Sequence, residues 1–199
     1  MALTETMADK NPFSQFALWF NDRNLSQVKE PYAAALGTCS TVGRVSLRTV
    51  LVKDYDETGF KFYTNYNSLK GKQLELKPAC ALLFYWPESD RKIRIEGFTE
   101  KLSVEESECY FKLRPRESQL SSWASEQSSV IPDRNYLDSQ YDFYKKKFNK
   151  KSVEKPPHWG GFILVPDRFE FWQEGNYRLH DRLNYRKVKD SWIIERLAP

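Results

Sequence analysis

The sequence predicts a mainly β fold, an antiparallel barrel with flanking helices in a single domain. Roughly seven or eight segments rich in branched and aromatic residues are separated by short turns. Strand and helix patterns do not alternate along the chain, as they would in a parallel sheet. Aromatic residues make up 15% of the 199 residues, which suits a β-rich core and also a site that stacks planar rings.

The first predicted element is a helix that begins at Asn11 and Pro12. Asn is a good helix cap, and Pro suits the first turn because its missing N–H would have no partner there. Three phenylalanines then recur at helical spacing, so the helix should pack an aromatic face on the barrel: Phe13, Phe16 and Phe20.

A meander of three strands follows this helix. Strands are predicted over 33–41, 45–55 and 60–64, joined by turns at 41–44 and 56–59. The period of two in the middle strand divides its side chains between two faces. One face carries Arg48, Val50 and Val52, and the other carries Thr49, Leu51 and Lys53.

The middle of the chain predicts a short helix and two long strands. Asn67 or Ser68 caps the helix, which ends before Pro78. Residues 79–86 are almost continuously apolar, which predicts a central strand buried on both sides. Residues 91–102 alternate between apolar and polar side chains, which predicts the next strand.

Helices then precede the final strands. Ser103 and Glu106 form a capping box that opens a helix, and Pro115 breaks it. The polar run 118–129 is expected to be part helix and part loop, and a longer helix starts at Asp133. The last strands begin after His158, and residues 192–197 pair back on them.

Composition excludes several classes of protein. The net charge of +4 is modest and gives little support for nucleic-acid binding. No run approaches eighteen apolar residues and residues 1–10 are polar, so we expect neither a membrane span nor a signal peptide. A disordered tail over 1–10, a single domain over 11–199 and a cytoplasmic location are therefore predicted. Three cysteines without metal-ligand spacing are expected to be buried thiols rather than a disulfide or zinc site: Cys39, Cys80 and Cys109.

Residues 169–182 concentrate the most chemistry and are predicted to form a hairpin with its turn at 174–176. In the second strand, the period of two puts Arg178, His180 and Arg182 on one face. Such a row would repel itself without an anion, and guanidiniums bind phosphate or carboxylate bidentately. The alternative is a solvated face on an edge hairpin, where charges are common, and the pattern alone favours that alternative.

The letters of this hairpin resemble a known family. FEFWQ at 169–173, the turn, RLHDR at 178–182 and the final RLAP at 196–199 are similar to the C-terminal signature of the pyridoxine (pyridoxamine) 5′-phosphate oxidases. The similarity continues upstream to about Asn11. Because the signature is long and specific, the chain is identified as a member of this family.

The resemblance implies a split β-barrel that binds FMN at the interface of a homodimer. It implies an oxidase that converts pyridoxine 5′-phosphate and pyridoxamine 5′-phosphate to pyridoxal 5′-phosphate. Dioxygen is the acceptor and hydrogen peroxide the product, as part of vitamin B6 metabolism. No metal, nucleic acid or membrane partner is expected.

The resemblance also implies site residues. Those for FMN are Arg48, Thr49, Val50, Leu51, Val52, Lys53, Tyr63, Thr64, Lys70, Gln127, Ser128, Trp172 and Arg182. Those for the substrate are Lys53, Tyr110, Arg114 and Ser118 at its phosphate, and Arg178, Leu179 and His180 at its ring. Arg178 and His180 are the expected catalytic pair, which clamps and orients the ring, and no general base is assigned. Arg48 and Lys53 differ in parity, so they should lie on opposite faces of their strand unless a bulge intervenes.

Two departures from the family keep other functions open. Leu69 stands where the family usually has Arg, and Lys92 where it usually has Gln. One alternative is a weakly active or non-catalytic paralogue that carries FMN or pyridoxal phosphate. Another is a split-barrel flavin reductase with a different substrate. The intact RLHDR sequence and the Tyr110, Arg114 and Ser118 set favour the oxidase over both.

Overall fold

The fold is one eight-stranded antiparallel sheet whose first six strands close into a barrel. The structure, a computed structural model, describes residues 3–22 and 28–199. The strand order is β3-β2-β1-β4-β5-β6-β7-β8, and an additional pairing of β3 with β6 closes the barrel. The strands are β1 (Ala33–Cys39), β2 (Val45–Asp56), β3 (Gly59–Asn65), β4 (Ala79–Trp86), β5 (Arg91–Lys101), β6 (Trp159–Gln173), β7 (Asp181–Val188) and β8 (Ser191–Arg196). The predicted mainly β barrel is confirmed.

Five α-helices within the described residues flank the barrel. They are α1 (Pro12–Phe20), α2 (Leu69–Leu76), α3 (Val104–Leu113), α4 (Arg116–Ala124) and α5 (Arg134–Lys147). The predicted caps are confirmed, because the side chains of Asn11, Ser68 and Asp133 each accept a hydrogen bond from a backbone N–H of the first turn. Ser103 and Glu106 form the predicted capping box of α3.

The core is aromatic and is closed by α1. The Phe16 ring of α1 is fully buried, with its centroid 4.9 Å from that of Phe60 on β3 and 5.2 Å from that of Phe84 on β4. Burying a phenylalanine side chain of this size stabilises the fold by about 1.5–3 kcal/mol. The first helix therefore packs its phenylalanine face on the barrel, as its sequence pattern predicted.

The predicted alternation along β2 is confirmed, and it places successive side chains in two environments, the core and the surface. Val50 and Val52 are buried in the core, whereas Lys53 is exposed. The pairing of β2 with β3 shifts register between Val52 and Asp54, so a bulge follows the part of the strand that bears Arg48.

The N-terminal segment differs from the predicted disorder over 1–10, although Met1 and Ala2 lie outside the described residues. Leu3 and Ala8 are each only 6% exposed. The Tyr185 hydroxyl donates to the Asp9 carbonyl at 2.8 Å. Two small apolar anchors among polar residues form no periodic pattern, so the sequence carries little signal of this packing.

The prediction that β4 is buried on both sides is wrong within this chain. Leu82, Phe84 and Trp86 are buried, but Leu83 is 40% exposed and Tyr85 56% exposed. Other exposed apolar side chains lie on β2 and β5 of the same sheet, namely Val45, Leu47 and Phe98. The continuous apolar run therefore comprises one strand face that packs in the core and a second strand face that is exposed to solvent in the single chain.

The expectation that all three cysteines are buried needs correction. Cys109 is exposed on α3, because the helix turns that position outward, whereas Cys39 and Cys80 are partly buried. Burial raises the pKa of the Cys80 thiol to about 12. In the described part of the chain, no helix has the length and apolar character needed to span a membrane.

The predicted second strand of the hairpin begins later than expected. Residues Asn176–Arg178 form a 3₁₀ turn, and β7 begins only at Asp181. Tyr177 and Arg178 have φ of 59° and 64°, so both lie in the left-handed region. Arg178 and His180 therefore lie outside the ladder, and the simple alternation of three side chains on one strand face does not hold.

Candidate functional site

A cavity of about 600 Å³ lies between strands β2 and β3 and helices α3 and α4. The residues predicted for FMN that line it are Thr49, Val50, Leu51, Lys53, Tyr63, Thr64, Lys70 and Gln127. All four residues predicted for the substrate phosphate also line it: Lys53, Tyr110, Arg114 and Ser118. The barrel and the helices thus bring together two sets that are separated in the sequence.

Lys70 is a buried cation with neutral partners. Its side chain is at the start of α2, and the residue is only 8% exposed. Its Nζ donates to Thr64 Oγ1 at 3.1 Å and to Gln127 Oε1 at 3.0 Å. Burial, with a smaller effect of the nearby Arg48 guanidinium, lowers the pKa of Lys70 to about 8. A solvated surface lysine is therefore excluded.

Arg48 lies beside this cation but does not line the cavity. Its NH1 donates to the Leu36 and Ser46 carbonyls and to Thr38 Oγ1. Burial lowers its pKa, although an arginine remains charged. Lys53 lines the cavity with Thr49 and Leu51, so Arg48 and Lys53 lie on different faces as their parity predicts.

Three nearly parallel aromatic rings form one wall. Tyr63 and Tyr110 stack with centroids 3.9 Å apart, and Trp159 stacks on Tyr63 at 5.6 Å. Burial raises the pKa of Tyr63 to about 12 and raises that of Tyr110, so both hydroxyls stay protonated at neutral pH. The wall offers an apolar ring face with hydrogen-bond donors at its edge.

Arg114 extends from the end of α3 across this wall. Its guanidinium carbon lies 4.6 Å from the Trp159 ring centroid, and its NH1 donates to Ser122 Oγ at 2.7 Å. Burial lowers its pKa, which reflects removal of the charge from water. Stacking on one side and a hydroxyl on the other hold the guanidinium in a fixed orientation.

The cavity is therefore built for an anion. Lys53, Lys70 and Arg114 line it, and none of the described lining residues is Asp or Glu. Serines at positions 118, 121 and 122 of α4, and Ser125 directly after the helix, add hydroxyl donors. A buried cation such as Lys70 without a carboxylate partner is costly unless a ligand brings negative charge, so a phosphate group would suit this cavity.

The other predicted residues lie outside this cavity. Val52 points into the core, and Ser128 is exposed in the turn after α4 with φ of 73°. The remaining residues form a second cluster at the far end of β6: Trp172, Arg178, Leu179, His180 and Arg182. The single chain does not bring this cluster to the cavity.

The second cluster is ordered by contacts of its own. The rings of Trp172 and His180 lie 4.6 Å apart, and Lys92 Nζ lies 3.9 Å from the Trp172 centroid. The Gly175 N–H donates to His180 Nδ1 at 3.3 Å. Arg182 donates to Glu170 Oε1 at 2.8 Å, which raises the pKa of the guanidinium.

The length of β6 separates the two groups of residues. Trp159 begins this 15-residue strand and Trp172 is close to its end. At about 3.3 Å per residue, such a strand extends up to about 45 Å. Curvature shortens that distance but cannot bring its ends together in one chain.

The sequence patterns did not predict several residues that line the cavity. Trp159, Asn65 and Ser122 line the cavity, and His158 supports it because its Nε2 lies 3.1 Å from the Ser122 carbonyl oxygen. The helical spacing of the serines in α4 is a signal that indicates a polar face. Nothing local in the sequence indicates that Trp159 faces Arg114, because that contact is made between distant elements.

The fold and the cavity define a split β-barrel protein with a small-molecule site. Residues 20–142 match the family model described as pyridoxamine 5′-phosphate oxidase. Residues 159–199 match the one described as the pyridoxine 5′-phosphate oxidase C-terminal dimerisation region. The chain belongs to the pyridoxamine 5′-phosphate oxidase family, which confirms the resemblance. No group of three or more possible metal ligands occurs among the residues that the structure describes.

Relatives cover the whole chain. A pyridoxine/pyridoxamine 5′-phosphate oxidase of Gloeothece citriformis is 50% identical over 99% of this chain and 92% of its own length. One of Azotobacter vinelandii is 47% identical over 99% of this chain and 93% of its own length.

Solved structures share the fold. PhzG from Burkholderia lata, in complex with tetrahydrophenazine-1-carboxylic acid, superposes with a TM-score of 0.92 at 28% identity, covering 100% of this chain and 98% of that chain. An FMN binding protein of Nostoc punctiforme, related to pyridoxamine 5′-phosphate oxidase, has a TM-score of 0.74 at 17% identity over 94% of this chain and 97% of its own. The second likeness shows the fold alone.

Proposed function

We propose that this chain is an FMN-dependent oxidase of pyridoxine 5′-phosphate and pyridoxamine 5′-phosphate that works as a homodimer. The alcohol and dioxygen yield pyridoxal 5′-phosphate and hydrogen peroxide. The amine, dioxygen and water yield the same aldehyde, ammonia and hydrogen peroxide. The cationic cavity is the observation that carries this proposal.

The cations that line the cavity, together with Arg48 beside it, suit two phosphate groups. Lys70 and the neighbouring Arg48 are suited to the FMN phosphate, since both lie near the start of α2, whose free N–H groups add to the attraction. Lys53 and Arg114 are suited to the substrate phosphate, with Tyr110 and Ser118 as neutral donors. The related PhzG binds a tetrahydrophenazine carboxylate, and a site with this second set of donors favours a phosphorylated substrate instead.

The residues present fit FMN by charge and by shape. A buried ammonium with only hydroxyl and amide partners calls for an anion, and the cavity volume of about 600 Å³ suits a flavin-sized ligand. When bound, FMN supplies the two-electron acceptor for hydride from C4′ of the substrate and transfers the electrons to dioxygen. Thr49, Leu51 and Gln127 line the same space as polar and apolar contacts.

Orientation is the task of Arg178 and His180. A guanidinium over the pyridine ring restrains its tilt, and an imidazole contact to a ring substituent sets its rotation. Trp172 supports His180 through their ring contact. Trp172 and Arg182 complete the flavin site in this proposal.

A second copy of the chain supplies that cluster. The strand length of β6 keeps Trp172 away from the cavity of its own chain, and residues 159–199 match a dimerisation region. The exposed apolar side chains of Val45, Leu47, Leu83, Tyr85 and Phe98 offer a face that a twofold contact would cover. Each of two sites then contains a cavity from one chain and an Arg178 cluster from the other.

The test uses the purified protein with FMN added. Anaerobic pyridoxine 5′-phosphate should bleach the flavin absorbance, and air should restore it with one peroxide formed per aldehyde. Pyridoxine without the phosphate is the matched control and should react at least about tenfold less efficiently, since it lacks a charge-assisted contact worth about 1.5–3 kcal/mol.

Other outcomes would identify other functions. Bound flavin without bleaching by either phosphorylated substrate would contradict the oxidase and favour a carrier. Flavin reduction by a nicotinamide cofactor, with no reaction of the B6 phosphates, would favour a flavin reductase. Reaction with a tetrahydrophenazine carboxylate alone would favour a substrate of the kind bound by PhzG.

A further inference from the structure

The turn that carries Arg178 and His180 needs support from outside itself. Tyr177 and Arg178 are consecutive non-glycine residues in the left-handed region. Such backbone persists only where the surrounding structure holds it. Within the turn, the Leu179 N–H donates to the Asn176 carbonyl at 2.9 Å, and both Arg178 and Leu179 are exposed. The other local contacts are the Gly175 N–H bond to His180 Nδ1 and the ring contact of His180 with Trp172, and neither involves Tyr177 or Arg178.

Support comes from a group of residues that we call the N-terminal clasp: Leu3, Glu5, Asp181 and Arg196. Asp181 directly follows His180 and is the first residue of β7. Its Oδ2 accepts from the Leu3 N–H at 3.2 Å, and its Oδ1 accepts from Arg196 NH1 at 2.7 Å. The carboxylate at the end of the turn is thus held from two sides.

Arg196 connects the other three residues of the N-terminal clasp. Its Nε and NH2 donate to the two carboxylate oxygens of Glu5, each at 2.9 Å, and NH2 also donates to the Leu3 carbonyl at 3.0 Å. This is a bidentate arginine–carboxylate pair, the geometry that fixes both partners best. Arg196 holds the pKa of Glu5 down to about 2, so the pair stays charged at any working pH.

Apolar burial anchors the same segment. Leu3 is 6% exposed within the core, so the backbone that donates to Asp181 is itself fixed. At the next residue of β7, the Leu197 N–H donates to the Arg182 carbonyl at 3.0 Å, and Arg182 NH1 donates to the Ala198 carbonyl at 2.7 Å. The beginning of β7 is therefore held both by the N-terminal segment and by residues 196–198.

We infer that Glu5 and Arg196 are positioning residues for the oxidation proposed above: through Asp181 they hold the turn that presents Arg178 and His180 to the substrate. They touch neither substrate nor flavin in this scheme. Their loss should loosen the turn and weaken substrate binding, while the flavin phosphate at Lys70 keeps its contacts. The inference rests on the proposed function for its consequence, but the clasp itself can be measured without turnover.

The test compares Glu5→Gln with Glu195→Gln. Glu195 is the matched control, because it pairs with Arg186 at 3.3 Å on β8 and its side chain is 42% exposed against 45% for Glu5. Glu5→Gln should speed hydrogen exchange in residues 176–181 about two- to fivefold and lower kcat/KM by a similar factor through KM, as expected for a partly exposed ion pair. Glu195→Gln should change neither, and both variants should bind FMN within about twofold of the wild type.

Two further variants test the roles of the Glu5 charge and of the Arg196 contacts. Glu5→Asp keeps the charge and should restore part of the exchange protection, whereas Arg196→Gln should have a larger effect because it removes the contacts of Arg196 to Glu5, to Asp181 and to the Leu3 carbonyl together. If Arg196→Gln does not fold, Glu5→Gln still decides the question. Equal exchange over 176–181 in Glu5→Gln and Glu195→Gln would overturn the clasp. Loosened exchange with an unchanged KM would overturn its positioning role, and a wild type inactive with B6 phosphates would instead overturn the proposed function.

Discussion

Lys70 is the residue whose environment most constrains the chemistry of the site. A lysine that is 8% exposed and bonded only to hydroxyl and amide oxygens is held in a state that a bound anion would stabilise. Its pKa of about 8 means that the ammonium loses its proton far more readily than an exposed lysine does. The affinity for a phosphate ligand should therefore respond to pH.

The first prediction concerns that response. Below pH 8 the free protein has a charged Lys70, whereas above pH 8 it must take up a proton before the ammonium can pair with FMN phosphate. The dissociation constant for FMN should thus rise with pH above 8, by up to about tenfold per unit. Flavin fluorescence quenching between pH 7 and 9 measures it. Lys70→Gln should bind FMN more weakly with a flat profile, and a flat profile in the wild type would contradict the assignment.

The second prediction concerns the two positions that depart from the family. Leu69 is 50% exposed beside Lys70, so Leu69→Arg should add a phosphate contact and tighten FMN binding up to about tenfold, the lower end for a charged contact in water. Lys92 stacks on Trp172, so Lys92→Gln should loosen that ring and weaken binding. Titration of both variants and the wild type separates the effects. Changes within about twofold for both would remove positions 69 and 92 from the flavin site.

At the scale of elements, helix α2 positions Lys70 through a close approach of Gly71 to the preceding turn. A Cβ at position 71 would lie 2.2 Å from the Tyr66 carbonyl oxygen, which is backbone and cannot rotate away. Only glycine lets α2 start this close to the end of β3. The position of the ammonium depends on this contact, although the hydrogen bonds of the Lys70 side chain go to Thr64, Ser68 and Gln127.

The third prediction follows from this contact. Gly71→Ala should destabilise the protein by about 1–3 kcal/mol and lower its Tm by several degrees. It should also weaken FMN binding, because α2 must shift. Gly37→Ala is the control, since its Cβ would meet only ordinary contacts at 3.8 and 3.9 Å. Equal Tm values for the two variants would show that the approach at Gly71 is not tight.

The fourth prediction assigns substrate binding to Arg178 and flavin binding to Arg182. Arg178 is exposed and, among the described residues, makes no hydrogen bond to a proposed flavin-site residue, so Arg178→Ala should lower kcat/KM about ten- to a hundredfold and leave FMN affinity within about twofold. Arg182→Ala is the contrasting variant and should lose flavin. Stopped-flow reduction and flavin titration give the two values. Lost flavin with normal turnover at saturation in Arg178→Ala would reverse the assignment.

At the scale of the whole molecule, the two halves of the proposed site lie at opposite ends of β6. The cavity includes Trp159 at its start, and the second cluster includes Trp172 near its end. In the proposed homodimer, a twofold contact would bring the end of β6 in one copy to the start of β6 in the other. Two further observations support a homodimer. The apolar outer face of β4 is exposed in the single chain, and residues 159–199 match a dimerisation region.

The fifth prediction tests this shared site by complementation. Lys70→Gln and Arg178→Ala homodimers should each be strongly impaired. After subunit exchange, half of the dimers are mixed and each mixed dimer has one intact site, so activity should return to about a quarter of the wild-type value. Native mass spectrometry verifies the mixed dimers. Their presence without recovered activity, or an active flavin-loaded monomer in sedimentation, would refute the shared site.

The sequence by itself determined the elements and the parity of the strands. Helix caps at Asn11, Ser68 and Asp133 and the alternation of β2 are local, since each depends on hydrogen bonds or side-chain directions within a few residues. The barrel class followed from the spacing of strands and turns. The family was also identifiable, because its signature is a contiguous stretch of residues.

Only the tertiary structure decided which side chains meet. The clasp of Leu3 and Glu5 on β7 and β8, the stacking of Arg114 on Trp159, and the outward face of β4 join segments far apart in the chain. The left-handed turn at Tyr177 and Arg178 is likewise imposed from outside, because non-glycine residues avoid that conformation on their own. The burial that lowers the pKa of Lys70 comes from packing, and no local pattern of residues encodes it.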